Sequence, residues 1–156
     1  GGWYTETWRA PLWTNGTDGQ RPAASAILYL LAVGERSHWH RVDAAEVWQW
    51  SAGEPLELRV WAPGDEAVTT LRLGADLERG EVPQTVVPGG AWQAARPLGA
   101  WALVGCIVAP AFDFAGFVPA GFAAAEGPEC LEDLPQFTVA LVGCGQLRYY
   151  FHAFPQ

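Results

Sequence analysis

The chain has 156 residues, half of them hydrophobic, nine Trp and a formal charge of −8; that is one domain's length, enough to bury roughly two-thirds of the unfolded surface. Every basic residue is Arg, which removes lysine Schiff-base chemistry and the Walker A lysine. With no basic patch or stripe, a nucleic-acid backbone is excluded as a partner, and no apolar run approaches the ~20 residues that span a bilayer.

Met is also absent, so Gly1 is not a translation start, and the chain reads as a fragment, a processed product or the ordered part of something longer. No signal peptide is visible, which makes the cytoplasm the default compartment. The three Cys (Cys106, Cys130, Cys144) are widely spaced and suggest neither a disulfide framework nor a structural zinc site. Cys106 and Cys144 sit in apolar runs and read as buried thiols.

Residues 1–11 mix aromatic and polar side chains and predict an edge strand anchored by Trp3 and Trp8. Residues 14–23 are rich in Gly, Asn, Asp and Arg and predict a loop. Residues 26–33 are continuously apolar, as in a strand covered on both faces. Next comes the stretch GERSHWHRVDAAEVWQWSAG, from Gly34 to Gly53. His38 and His40 are one residue apart, so on a regular strand both imidazoles share a face. Glu46 opens a second apolar run in which Glu46, Trp48 and Trp50 share a face. Two imidazoles and a carboxylate on neighbouring strands can hold a divalent metal.

Leu56–Trp61 alternates as a half-buried strand does, Pro63-Gly64-Asp65 marks a turn, and residues 68–73 predict another short strand. Residues 82–95 read as strand, tight turn at Pro88-Gly89-Gly90, strand, with Gln93 on the face of Ala91 and Ala95. Residues 100–109 form a further apolar strand, and Phe112, Phe114 and Phe117 predict a wall of the core. Residues 123–133 are acidic and could form a helical turn. Another apolar run spans 138–143. Many short strands separated by turn signals argue an all-β sandwich or barrel.

The spacing from Gly34 through His40 and Glu46 to Gly53 resembles the first cupin motif, and Pro88-x-Gly90-x-x-Gln93 resembles the core of the second. With the blocks GGWYTETWRAP, AILYLL, SHWHRVDAAEVWQWSAGEPLEL, LGADLERGEVPQTVVPGGAWQAA and ALVGCIVAPAFDF, the chain is similar to the single-domain cupin family of unknown function, cupin type 5. The resemblance implies a jelly-roll β-barrel over residues 1–122, followed by an extension over 123–156 packed on the barrel. It implies a site of His38, His40, Glu46 and Gln93, holding a divalent metal (Fe, Mn, Ni or Zn) or working without one. Two registers are open: with His40 as the first motif histidine the second falls on Val42, whereas His38 and His40 as the pair alter the spacing to Gly34 and Glu46.

In the functional reading His40 and Glu46 are the catalytic acid/base pair, while Trp48, Trp50, Gln84 and Arg41 bind a ligand at the barrel mouth. The bland reading makes at least one of these Trp core and solvates Arg41. Glu6 and Arg9 are candidates for a pocket rim or subunit contact. The characterised cupins similar to this chain include nucleotide-sugar epimerases, which implies isomerase or epimerase chemistry on a sugar-like substrate, ahead of dioxygenase chemistry. The alternative is a non-catalytic binding barrel or a subunit of a larger assembly. By resemblance the protein is a homodimer, with Trp3, Trp8, Trp13 and Trp61 as candidate interface anchors.

Overall fold

The computed structural model describes residues 1–120. The helical turn expected at 123–133, the apolar run at 138–143, Cys130 and Cys144 lie outside the described residues. Among the described residues there are twelve strands: β1 Trp3–Arg9, β2 Trp13–Gly16, β3 Gly19–Pro22, β4 Ser25–Ala32, β5 Ser37–Val42, β6 Ala45–Gly53, β7 Leu56–Trp61, β8 Thr69–Leu73, β9 Gln84–Val87, β10 Trp92–Pro97, β11 Trp101–Ala109 and β12 Phe117–Pro119. Two short 3-10 turns, Leu77–Arg79 and Phe114–Gly116, complete them.

Ten of these strands form two five-stranded antiparallel sheets, ordered β1-β4-β11-β6-β9 and β12-β5-β10-β7-β8, and β2 and β3 pair separately. Sequence neighbours are seldom sheet neighbours, which is how a jelly roll wraps two sheets around one interior. The 88–90 turn shows this well. The two strands it joins do not pair: β9 pairs with β6, and β10 pairs with β5 and β7. The turn therefore carries the chain from one sheet to the other, and Gly90 takes φ +82° there, a conformation with little cost only for Gly.

Alternation within each strand decides what faces the interior. From the first sheet come Leu31, Trp48, Val87, Ala102, Val104 and Cys106, and from the second Leu56, Leu58, Leu73, Ala91 and Ala95. A fully buried Leu contributes about 2 kcal/mol, and this is the largest of the buried clusters among the described residues. A smaller cluster, with Trp39, Trp92 and Ala120 buried and Trp61 and Val118 packed against them, lies on the opposite face of the second sheet. Gly53 closes β6 with φ +88°, and a Cβ there would meet the Trp101 carbonyl oxygen at 2.5 Å.

Three expectations change. Residues 14–23 are not a loop but a β2–β3 hairpin, whose strands are polar because they are largely exposed. Phe112 and Phe117 pack with Val42, Ala44 and Val108, but Phe114 is exposed. Trp61 lies on the second sheet, far along the topology from Trp3 and Trp8 on the first, so the four candidate interface Trp do not share one face.

The hairpin is held to the β5–β6 corner by one carboxylate. Asp43 accepts bonds from Thr17 Oγ1 and Arg21, the latter at 3.0 Å with both side chains largely buried. Truncating one partner of such a pair leaves the other charge buried and uncompensated, a loss of about 3 kcal/mol. Asp43→Ala is expected to lose that much in urea unfolding, with Arg21→Ala adding little on top. A loss near zero would show that the hairpin is not tied there.

Candidate functional site

The site is built where the two sheets face each other. Glu46 is the second residue of β6, paired with Val108 of β11 and Val87 of β9, and only 7% exposed. Gln93 lies on β10 of the opposite sheet, 1% exposed, with His40 of β5 as its Cα partner. The Gln93 amide crosses the interior: Nε2 donates to Glu46 Oε2 at 2.5 Å, and Oε1 accepts from Trp48 Nε1 at 2.9 Å. An indole N–H can only donate, so this contact fixes which end of the amide is which. Cys106, opposite Trp48 on β11, also hydrogen-bonds Glu46.

Burial pushes the Glu46 carboxyl up to about 7, against the opposing effect of the Gln93, Cys106 and Trp48 donors around it. Each of those groups is neutral. A buried carboxyl without a cation is costly to ionise, and it sits where proton exchange occurs near neutral pH. Burial, with Glu46 beside it, also drives the Cys106 thiol well above its ordinary range, so it serves as a donor and not a nucleophile. From its sequence context Cys106 reads only as a buried thiol. The apolar alternation of β11 does turn it inward, but its place beside Glu46 follows from the order of strands.

His40 is half-buried, and desolvation lowers it to about 4. Its ring stacks on Phe117 at 5.1 Å. Nδ1 lies 2.7 Å from the His38 carbonyl oxygen. A neutral imidazole that donates from Nδ1 leaves Nε2 as an acceptor.

His38 is different. The β5–β10 register shifts between the Ser37–Ala95 and His40–Gln93 pairs, and such a bulge breaks strict alternation. His38 is lowered by desolvation, then by the N-terminal ammonium and Arg36, groups at the edge of the fold. Trp50 is half-buried and donates to the Glu54 carbonyl at 3.2 Å. Gln84 is exposed on the edge strand β9. Arg41 lies on the outer face of the second sheet, 5.3 Å over the Trp92 ring, and also lines a cleft of about 290 Å³ with Val42, Asp43, Gly90, Gly116 and Val118. Glu6 and Arg9 pair with each other at 2.6 Å on the surface.

Among the described residues, no group of three or more His, Cys, Asp and Glu is placed to hold a metal ion. The donors show why. Gln93 turns its oxygen to Trp48 and its NH2 to Glu46, and the position after His40 that the motif reserves for a second imidazole is the buried Val42. As arranged, His38, His40, Glu46 and Gln93 do not fit a divalent cation.

Two sheets closed around a buried polar centre define a cupin-type barrel. The family described as cupin superfamily (DUF985) matches residues 1–120, and the chain belongs to it. A solved protein of Shewanella oneidensis is 36% identical, covering 80% of this chain and 78% of that one with a TM-score of 0.71. A hypothetical protein from Leishmania major is 32% identical over 75% and 76%, also at 0.71. Oxalate decarboxylase of Bacillus subtilis, with Mn(II) centres of its own, shares the fold at 15% identity and TM-score 0.51, over 69% of this chain and 26% of that one. No curated protein matches the sequence. No helix among the described residues is long and apolar enough to cross a membrane.

The two shifted groups give opposite pH dependences. Glu46 is raised from 4.5 to about 7, so its contribution to stability is complete below pH 4.5 and is lost as pH rises through about 7. His40 is lowered from 6.5 to about 4, so its contribution is complete above 6.5 and is lost as pH falls through about 4. Glu46→Gln keeps the shape and removes the ionisation. Its stability relative to the parent is expected to climb from pH 5 to pH 8, by up to an order of 3 kcal/mol. A difference that stays flat with pH would show that Glu46 is not titrating in that window.

Proposed function

We propose that the protein binds a small hydroxylated, sugar-like molecule at the barrel end and isomerises or epimerises it by proton transfer through Glu46. The observation that carries this reading is a buried carboxyl with only neutral partners, brought to about 7. At that value it is present in both forms near neutral pH, as general acid–base work requires. In the chemistry proposed, Glu46 takes a proton from the carbon next to a carbonyl and returns it to the neighbouring carbon while the hydroxyl proton passes to the carbonyl oxygen, so that protons and electrons balance. Inversion at one carbon requires the enediol to turn over before Glu46 returns the proton. Neutral His40 offers Nε2 as an acceptor for a substrate hydroxyl. The cleft lined by Arg41, Val42, Asp43 and Gly90 follows His40 along the chain and is the proposed entrance, although His40, Glu46 and Gln93 do not themselves line it. The reading rests on these side chains alone.

The test is solvent exchange. A panel of keto- and aldo-sugars and their nucleotide forms is incubated with protein in D2O and followed by NMR. Carbon-bound deuterium is expected with the parent protein, reduced about 10²-fold or more by Glu46→Gln and strongly by His40→Ala, with melting temperatures at neutral pH little changed. Binding that needs Glu46 but gives no deuterium would favour the second reading, a non-catalytic ligand-binding barrel.

We further propose that the barrel pairs with a second copy through the outer face of the first sheet. Trp3, Leu30 and Leu103 align there in one row, and Trp8, Ala26 and Ile107 in another. Trp8 is 51% exposed and Ile107 38%. These rows carry no charge, so two chains of net charge −8 could meet there without opposing like charges. Light scattering at micromolar concentration is expected to give twice the 16.9 kDa chain mass, and Ile107→Glu the single mass. A monomeric parent protein would contradict the pairing.

A further inference from the structure

We propose that Trp48 is a positioning residue of this site: its indole N–H selects the orientation of the Gln93 amide, and so makes Gln93 a hydrogen-bond donor toward Glu46. The inference deepens the proton-transfer reading and rests on it for its consequence, although its geometry stands independently. A primary amide in a closed interior has two orientations related by a half-turn, of nearly identical shape. In one, Gln93 would present its oxygen to Glu46 and its NH2 to Trp48. That places two donors against each other at the indole, an arrangement with no hydrogen bond. In the other, which the structure adopts, both contacts are donor to acceptor, at 2.9 Å and 2.5 Å. Glu46 cannot make this choice alone, because a carboxyl that gains and loses a proton can accept from NH2 or donate to the oxygen. Trp48 cannot adapt, since the indole nitrogen only donates.

Three side chains from two sheets are thus set by the one member with no freedom. Trp48 is 2% exposed, and its ring is fixed by edge contact with Tyr29 at 6.2 Å. The consequence for chemistry is specific. With NH2 facing it, one oxygen of Glu46 is engaged by a fixed donor, and the ionised form is supported while the protein awaits its ligand. With the amide reversed, the Gln93 oxygen would face Glu46 instead and would favour the protonated acid. Trp48 accordingly decides which form of Glu46 the interior supports, and it withholds the Gln93 oxygen from any cation.

The test reads the amide directly by 15N-labelled NMR, with the Gln93 side-chain NH2 pair assigned by its loss in Gln93→Leu. In the parent protein the pair is expected to be widely dispersed and slow to exchange with solvent. Trp48→Phe removes the N–H and keeps an aromatic ring. In that variant the pair is expected to move toward exposed-amide positions or to broaden between two orientations. Glu46→Leu removes the other partner and is expected to leave a single dispersed pair, because Trp48 still holds the oxygen. The reverse pattern, with the pair unchanged in Trp48→Phe and released in Glu46→Leu, would overturn the proposal. Should Trp48→Phe fail to fold, the Glu46→Leu result decides on its own, since release there contradicts an orientation set by Trp48. None of these readouts requires turnover, so absence of deuterium exchange in the sugar panel would sink the proposed reaction and leave this result standing.

Discussion

The structure depends on one chain of hydrogen bonds that crosses the interior from Trp48 to Gln93 to Glu46. It joins β6 of the first sheet to β10 of the second, through a core made mostly of Leu, Val and Ala. A buried amide and carboxyl in such surroundings are tolerable only when their polar atoms are satisfied. Satisfying them fixes the relative position of the two sheets at that level, in a way that the non-directional packing around them does not. The same bonds hold the carboxyl in a largely buried position, where desolvation raises it. Fold and site are therefore the same constraint seen twice.

That constraint also explains the character of the site. In a water-filled or cation-lined pocket a glutamate stays ionised and serves as a ligand or a salt-bridge partner. Here its partners are an amide, a thiol and an indole, all neutral, and the balance between protonated and ionised forms lies close to physiological pH. Neutral His40 beside Gln93 adds a hydrogen-bonding group without adding charge. The proposed proton transfer rests on this balance, and the electrostatics differ from those of a preformed metal centre.

Much of the architecture was legible in the sequence because it is written in local patterns. The alternation of Leu56–Trp61, the continuous apolar run that became β4, and the Gly-rich turn at 88–90 each reflect a property of a few adjacent residues. So does the placing of Gln93 with Ala91 and Ala95. The β2–β3 hairpin was hidden because its strands are exposed, and polarity alone does not separate an exposed strand from a loop. The register shift in β5 between Ser37 and His40 depends on how β5 meets β10 and has no local signal. The Trp48–Gln93 bond and the place of Cys106 beside Glu46 needed the strand order, which no local pattern encodes.

The most direct measurement of the central claim is the ionisation of Glu46 itself. With 13C-labelled glutamate, the side-chain carboxyl carbon of Glu46, assigned by its absence in Glu46→Gln, can be followed by NMR from pH 4 to 9. A midpoint near 7 is the result this account predicts. A midpoint near the ordinary 4.5 would mean that the carboxyl is solvated or paired with a cation, and the proton-transfer reading would fall with it.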